Sequence, residues 1–383
     1  MTSTTRRVAG LVLAAVLVVG IVVAIVIGRG LAGGSGPGEG GDLRVVTGVI
    51  GSEKEPFFDD PRVKAAFARH GLDVRVTTAG SRQIATSVDL AGVDFVSPGS
   101  APARDKLVEE TGAETSHDPF YTPMALASWR PIAELLRDAG VAKESDGRWT
   151  LDMERYLELV ADDTRWEDLE GAAEAYPSSR SILVSSTDVR TSNSAAMYLA
   201  IASYVANGDS VVGGAEQDEV LDELAPLFLE QGYSADSSES PFEDYLSQGI
   251  GSKPLVMIYE AQFLGRQLDE ATAAAITDDM LLMYPEPTIL SRHAFVTLTD
   301  AGDEIGTLLE SDPELTRLVA AHGFRPNDAA VFTAVLEEAG VEAPPAPVDV
   351  VEPPAYETLE SMIAEIEQQY DTPTPTQHPT ADQ

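Results

Sequence analysis

Residues 43–54 read LRVVTGVIGSEK, a short apolar segment that runs directly into a turn with glycines at 48 and 51. This pattern predicts a β-strand followed by a glycine-containing loop. Further short apolar segments lie at 73–77, 94–97, 181–186, 254–259 and 280–284. Segments with helical spacing and cap signals lie between them, at 61–70, 101–110 and 195–206. The alternation predicts an α/β fold whose parallel sheets carry helices on both faces.

Composition restricts the classes of function. The chain has 383 residues, of which 44% are hydrophobic, enough for two domains or one large two-lobed unit. With 25 basic and 63 acidic residues the formal net charge is −38, and no basic patch is concentrated along the chain. Such a charge repels phosphate backbones, so we expect no nucleic-acid partner. The absence of cysteine excludes disulfides, thiolate metal sites, a cysteine nucleophile and a lipid-modified cysteine.

The N-terminus predicts a membrane anchor. Arg6 and Arg7 precede an apolar run at residues 8–27, which as a helix would span about 30 Å, the thickness of a bilayer core. The arginines on its N-terminal side place the following residues outside the cytoplasm. Residues 1–29 are therefore predicted to be a cytoplasmic stub and a single-pass transmembrane signal-anchor in the cell membrane. Cleavage near residues 30–32, where small residues have suitable spacing, is the alternative.

Two segments of biased composition flank the predicted globular part. Residues 30–42 form a glycine-rich linker. After Arg325 there is no Lys or Arg, whereas twelve acidic residues follow. Residues 341–383 are a proline-rich acidic tail in which we predict one amphipathic helix at 356–370 and disorder from 371 onward.

Polar residues follow each of the first three predicted strands. Ser52 and Lys54 follow the first strand, Ser81 and Arg82 the second, and Ser100 the third. Because the carboxyl ends of parallel strands meet at one edge of a sheet, we expect these loops to lie close together. We expect Ser81 to cap the next helix, and a fourth loop of similar composition lies at 187–194. Hydroxyls beside helix N-termini suit an anion or another polar solute, although any one loop could be an ordinary N-cap without a ligand.

The order of these loops resembles the type II periplasmic-binding-protein fold, in particular the solute-binding proteins of ABC transporters related to molybdate and phosphate binders. The resemblance covers residues 43 to about 326. Residues 93–103 (VDFVSPGSAPA) resemble the family's third strand and its loop, and residues 120–129 (FYTPMALASW) resemble the strand that leaves the first lobe. Residues 251–264 and 280–298 resemble the second-lobe strand and the return crossing. The most specific similarity is PELTRLVAAHGFRP (313–326), which resembles the closing helix with its Gly-Phe-x-Pro ending.

This resemblance implies two lobes with a ligand between them. Lobe 1 would comprise residues 43–121 and 285–340, and lobe 2 residues 122–284. The implied ligand-binding residues are Ser52, Lys54, Ser81, Arg82, Ser100, Thr122, Ser192, Asn193, Ser194 and Tyr259. Arg190 is a further candidate for charge compensation. Glu53 and Glu260 lie in the same loops and would suit an amine, a cation or a hydroxyl, so the sign of the ligand's charge stays open.

No catalytic signature is present in the sequence. The motifs G-x-S-x-G and G-x-x-x-x-G-K-[ST] are absent, and the five histidines lack metal-binding spacing. We therefore expect no enzyme activity, no cofactor and no metal site. The predicted function is that of a membrane-anchored extracytoplasmic protein that captures a small polar solute, with an oxyanion as one candidate, for an ABC permease. The alternative is an envelope interaction or scaffold module with the same fold and no small ligand.

Overall fold

Two β-sheets with packed helices organise the chain. The structure, a computed structural model, describes residues 43–214, 216–231 and 235–370. Its strands are β1 (Arg44–Ile50), β2 (Leu72–Thr78), β3 (Phe95–Ser97), β4 (Ser116–His117), β5 (Phe120–Trp129), β6 (Ala142–Ser145), β7 (Arg148–Asp152), β8 (Leu255–Tyr259), β9 (Met280–Glu286), β10 (Leu290–Arg292), β11 (Phe295–Thr297) and β12 (Arg325–Pro326).

The α-helices of the described residues differ widely in length. They are α1 (Glu55–Asp59), α2 (Pro61–Arg69), α3 (Ser81–Thr86), α4 (Ala101–Thr111), α5 (Arg130–Asp138), α6 (Met153–Ala161), α7 (Ala172–Ala175), α8 (Asn193–Ala206), α9 (Gln217–Leu224), α10 (Pro226–Leu229), α11 (Glu239–Gln248), α12 (Glu260–Leu268), α13 (Asp300–Ser311), α14 (Pro313–Ala321), α15 (Ala329–Glu338) and α16 (Tyr356–Tyr370). Single 3₁₀ turns form at Ser52–Lys54, Trp166–Asp168 and Ala273–Ala275.

The first sheet has the strand order β2-β1-β3-β11-β4. Strands β1, β2 and β3 are parallel, as predicted, whereas β11 runs antiparallel to β3 and β4. One side of this sheet buries an aromatic cluster in which the rings of Phe95 and Phe295 stack with centroids 5.3 Å apart. We call the half of the molecule built on this sheet, with α1–α4 and α13–α15, lobe 1.

The second sheet has the strand order β10-β5-β9-β7-β6, with β8 and β12 also paired to β5. Here the prediction of a parallel sheet is wrong. Strands β8 and β9 both run antiparallel to β5, and only the β7–β9 pair is parallel. The largest apolar cluster of the described residues packs around this sheet and includes Trp149, Tyr156 and Tyr198. We call this half, with α5–α11, lobe 2.

The predicted strand at 181–186 is not a strand either. It makes two isolated bridges, one of them from Ser185 to Val256. Two backbone N–H groups of this segment donate to side chains and not to a neighbouring strand. The Val184 N–H donates to the Tyr156 hydroxyl at 3.0 Å, and the Ser186 N–H donates to Gln231 Oε1 at 2.7 Å. Side-chain acceptors from distant parts of the chain thus replace the ladder that the apolar pattern indicated.

The ten-residue strand β5 connects the lobes. Its first residues pair with β12 and β10, which lead into and out of lobe 1, and its remaining residues pair with β8 and β9 of lobe 2. The chain returns through β9 and β10 to β11 of the first sheet. The two predicted crossings at 120–129 and 280–298 are therefore present. The lobe boundaries at 121/122 and 284/285 stay a prediction.

Helix positions agree closely with the sequence patterns, but one predicted cap is wrong. Gly80, not Ser81, occupies the N-cap of α3, and its N–H donates to Gln83 Oε1 at 3.2 Å. The hydroxyl of Ser81 instead accepts from the Gly99 N–H at 2.8 Å. The predicted tail helix forms over Tyr356–Tyr370 and buries one face in lobe 2.

No helix within the described ranges has the length and hydropathy needed to cross a bilayer. The predicted anchor at residues 1–29, the linker at 30–42 and the tail end at 371–383 lie outside the described residues.

A buried ion pair fastens the crossing region. Arg325 of β12 donates to both carboxylate oxygens of Glu260, at 2.6 and 2.9 Å, and Tyr284 of β9 donates to the same carboxylate at 2.5 Å. Arg325 also donates to the Pro344 carbonyl at 2.8 Å. Glu260 is fully buried and Arg325 is 6% exposed. Three elements of the crossing region and the start of the tail therefore depend on one carboxylate.

Removing one member of this pair should be costly, because the other charge would stay buried without a partner. We expect Arg325→Met to lower the free energy of unfolding by about 3–5 kcal/mol. The matched change Arg317→Met breaks an exposed pair with Glu338 and should cost at most about 1 kcal/mol. Urea unfolding of both variants tests this, and equal costs would contradict the proposed role of the buried pair.

Candidate functional site

A small cavity of about 30 Å³ lies where the two lobes meet. Five separate stretches of chain line it. The lining residues are Gly51, Ser52, Glu53, Ala79, Gly80, Ser81, Thr191, Ser192, Asn193, Ser194, Asp236, Ser237, Ser238 and Tyr259. Hydroxyl groups dominate this lining, and Glu53 and Asp236 add carboxylates.

Each stretch reaches the cavity from the end of a regular element. The loops after β1 and β2 contribute from lobe 1, as expected for neighbouring parallel strands. From lobe 2 come the N-terminus of α8, the residues before α11 and the last residue of β8. Ser192 is the N-cap of α8, yet no side chain caps that helix. The first backbone N–H groups of α8 thus receive no hydrogen-bond acceptor from the N-cap side chain, and they lie at the end of the helix that faces the cavity.

The lobes touch directly beside the cavity. The amide of Asn193 donates to the Gly99 carbonyl of lobe 1 at 3.1 Å and to the Tyr259 hydroxyl at 3.0 Å. Ser291 of β10 also donates to the Gly99 carbonyl. A Cβ at position 99 would lie 3.1 Å from the Asn193 amide nitrogen and 3.2 Å from Glu53 Oε1. Glycine at this position therefore permits the close approach of the lobes.

A buried charged group forms the lobe 1 side of the site. Lys54 is fully buried, and its Nζ lies 2.5 Å from Glu53 Oε1 and 3.1 Å from His293 Nδ1. His293 Nδ1 is also 3.3 Å from Glu53 Oε1. The side chain of Glu53 keeps 10% of its surface exposed. The carboxylate of Glu53 therefore faces the cavity, and the ammonium of Lys54 lies behind it.

These contacts shift the pKa of all three groups. Burial alone would raise the pKa of Glu53, but the charge of Lys54 and the contact with His293 outweigh it and hold that pKa far below its usual value. Burial lowers the pKa of Lys54, against the opposing charge of Glu53. Burial, and then the charge of Lys54, lower the pKa of His293 to about 4. Glu53 is therefore ionised and His293 neutral near pH 7.

Six of the ten predicted ligand-binding residues line this cavity, and their role as ligands stays a prediction. They are Ser52, Ser81, Ser192, Asn193, Ser194 and Tyr259. Ser194 lies in a hydroxyl chain, because its Oγ is 2.9 Å from Thr187 Oγ1 and 3.0 Å from Ser192 Oγ. Residues of the two lobes that are far apart in sequence thus share one space.

The other four predicted residues do not line the cavity. Lys54 lies behind Glu53. Arg82 pairs with Glu360 of the tail helix. The Thr122 hydroxyl accepts from the Ala261 N–H at 3.0 Å.

Ser100 and Arg190 are also placed outside the lining. Ser100 is buried at the N-cap of α4. Arg190, the further candidate for charge compensation, donates to both oxygens of Asp188. Each predicted cation near the cavity therefore already has an acidic partner within the chain.

Sequence reasoning missed several members of the site. Asp236, Ser237 and Ser238 precede α11 in the same way that the other polar loops precede their helices, and this pattern could have identified them. His293 had no comparable signal, since its contact with Lys54 depends on the return crossing. Across the part of the chain that the structure describes, no group of three His, Asp or Glu side chains could hold a metal ion.

Comparison with known proteins establishes the fold. No protein-family model matches the chain, and no curated protein matches it. Among solved structures, a periplasmic thiamin binding protein has a TM-score of 0.54 at 13% identity, covering 88% of this chain and 99% of that one. Iron-bound HitA from Pseudomonas aeruginosa has a TM-score of 0.52 at 12% identity, covering 84% and 99%. Apo ferric ion-binding protein A from Pasteurella haemolytica has 0.52 at 10% identity, covering 86% and 99%.

These neighbours confirm the two-lobed α/β part of the predicted fold class. The described chain is a mixed α/β protein with two sheets and the two-lobed type II fold of periplasmic binding proteins. At 13% identity or less, the likeness concerns the fold and does not extend to what the proteins bind.

The neutral state of His293 should make the protein less stable in acid. The unfolded chain takes up a proton near pH 6.5, whereas the folded chain resists it until about pH 4, so stability falls as the pH drops through this window. We expect His293→Gln, which cannot titrate, to lose about 2 kcal/mol less than the wild type between pH 7.5 and pH 5.0 in urea unfolding. Parallel losses in both proteins would contradict this assignment.

Proposed function

We propose that this protein is an extracytoplasmic solute-binding protein that captures a small polar solute between its two lobes and delivers it to an ABC permease. The observation that carries this proposal is the convergence of five polar stretches, from both lobes, on one cavity. The fold supports it too, because the thiamin and ferric-ion proteins named above are binding proteins of the same architecture.

The arrangement suits capture by closure of the lobes. A solute that contacts Ser52 and Ser81 of lobe 1 together with Asn193 and Tyr259 of lobe 2 stabilises the closed state over the open state. The crossing strands allow the lobes to move relative to one another. A cavity of about 30 Å³ has room for little more than a water-sized group. A larger solute therefore requires wider separation of the lobes than this arrangement has.

Two features of the lining select the chemistry of the solute. The ionised carboxylate of Glu53 accepts hydrogen bonds and favours a hydroxyl or an ammonium group. The uncapped N-terminus of α8 donates them and favours an oxygen acceptor. We propose that the solute carries both kinds of group, as amino acids and polyols do. The carboxylate of Glu53 would repel a simple oxyanion. The nearby cations Lys54, Arg82 and Arg190 are already paired with acidic residues of the chain.

The proposed location follows from the N-terminal sequence. Residues 8–27 would hold the protein at the outer face of the cell membrane through a single span, with residues 30–42 as a tether. Attachment to the same membrane would raise the effective concentration of the bound solute near a permease.

Two observations favour the scaffold alternative. The cavity is small, and Lys54 and Arg82 are each paired with an acidic residue of the chain. In that case the fold would present its surface to an envelope partner and would bind no small ligand.

Thermal unfolding of the full-length chain with a panel of sulfate, phosphate, molybdate, amino acids, polyols and amines separates these functions. At a concentration of 100 Kd, a true ligand should add roughly 2.7 kcal/mol to the free energy of unfolding. Ser192→Leu fills the cavity and should abolish the shift, whereas Ser247→Leu, exposed on α11 outside the cavity, should retain it. Absence of a shift with every compound would favour the scaffold, and a shift that survives in Ser192→Leu would place the ligand elsewhere.

A further inference from the structure

Helix α16 is anchored in lobe 2 by its apolar face. Leu359, Met362, Ile363 and Ile366 recur at helical spacing, and each is at most 4% exposed in the large apolar cluster of lobe 2. The helix packs on α8, α9 and α10. A core element of lobe 2 is thus supplied by the proline-rich acidic tail.

Polar contacts strengthen the same attachment. Gln217 donates to Ser361 Oγ and to Glu365 Oε1, both at 2.9 Å. The hydroxyl of Tyr370 donates to the Phe228 carbonyl at 3.1 Å. Along most of its length the helix therefore belongs to lobe 2.

The first turns of α16 contact lobe 1 instead. Arg82 of α3 donates to both carboxylate oxygens of Glu360, at 2.5 and 2.6 Å. Tyr356 packs against the small apolar cluster of lobe 1 that contains Ile84 and Leu107. Lys106 of α4 lies 3.7 Å from Glu357. One helix consequently bridges the two lobes.

This bridge is fastened to the loops that line the cavity. Arg82 follows the lining residue Ser81 and also donates to the carbonyl of Arg190, which precedes the lining residue Thr191. The guanidinium of Arg190 lies 4.5 Å from the ring centre of Tyr370. The helix thus holds one lining loop from each lobe.

The segment before α16 crosses the connection between the lobes. The Thr288 N–H donates to the Asp349 carbonyl at 3.0 Å, and the Val351 N–H donates to the Thr288 carbonyl at 2.9 Å. Together with the bond from Arg325 to Pro344, these contacts direct the tail along the crossing strands toward the cleft.

We propose that residues 344–370 form a latch that stays attached to lobe 2 and releases lobe 1 when the cleft opens. The two attachments differ in strength. Four fully packed apolar side chains hold the lobe 2 end, whereas the main lobe 1 contact is an ion pair whose side chains are 22% and 24% exposed. The latch contact between Arg82 and Glu360 therefore breaks first. Resting on the proposed function, the latch would set the rate at which solute enters and leaves.

Spin labels can measure the opening directly, because the chain has no native cysteine. Thr307→Cys on lobe 1 and Glu158→Cys on lobe 2 place labels at exposed sites outside the latch. Double electron–electron resonance on the full-length protein then reports the distance between the lobes. We expect Glu360→Lys to raise the population of the longer distance by roughly two- to fivefold. The matched change Glu338→Lys, in an exposed pair within lobe 1, should leave the distribution unchanged.

A charge swap and a second contact make the result decisive. Arg82→Glu combined with Glu360→Lys should restore much of the short distance, since the opposite charges face each other again. Tyr356→Ser removes the apolar lobe 1 contact without changing charge, and it should also favour the longer distance. Identical distributions for Glu360→Lys, Tyr356→Ser and Glu338→Lys would overturn the latch.

The distance measurement needs no solute, so it distinguishes the latch from the proposed function. If an open population that forms in Glu360→Lys collapses when 10 mM serine or 10 mM glycerol is added, both proposals are supported. If neither probe, nor any compound of the thermal panel, collapses it, the latch stands and the solute-binding function fails.

Discussion

The fold depends on the long strand β5, which pairs at its start with β10 and β12 and farther along with β8 and β9. Residues 120–123 of β5 pair with the strands that lead into and out of lobe 1, and residues 124–129 pair with β8 and β9 of lobe 2. The carboxylate of Glu260, held by Arg325 and Tyr284, fixes the elements around that strand. Glu260 directly follows Tyr259, which lines the cavity, so these contacts lie beside the candidate site.

The cavity shows how a strongly acidic chain builds a polar site without a large local field. Lys54 neutralises Glu53 from behind, and Arg82 and Arg190 are each paired with a carboxylate. The remaining wall consists of hydroxyls, one amide, helix termini and the carboxylate of Asp236, which accepts a hydrogen bond from Thr191. Because the cations near the cavity are paired within the protein, the placement of hydrogen-bond donors and acceptors determines which solute binds more than net charge does.

Sequence patterns located most of the elements because apolar periodicity and caps act over a few residues. The sequence predicted an amphipathic helix at 356–370 within an acidic tail outside the two lobes, yet Ile363 and its neighbours complete the core of lobe 2. Periodicity shows that a helix has an apolar face but cannot show which surface covers it.

The site was predictable where loops follow parallel strands, as at Ser52 and Ser81. Antiparallel pairing in lobe 2 joins residues as far apart in the sequence as Trp129 and Met280. The contact of His293 with Lys54 joins residues 239 positions apart. The pairing of Arg82 with the tail has the same origin, and no local signal predicts it.

Hydrogen–deuterium exchange with and without the solute that stabilises the protein tests most directly that both lobes bind one ligand. The account predicts slower exchange at 51–54 and 80–82 of lobe 1 and at 191–195 of lobe 2, all at the same solute concentration. Slower exchange confined to one lobe, or to a surface away from these loops, would contradict it.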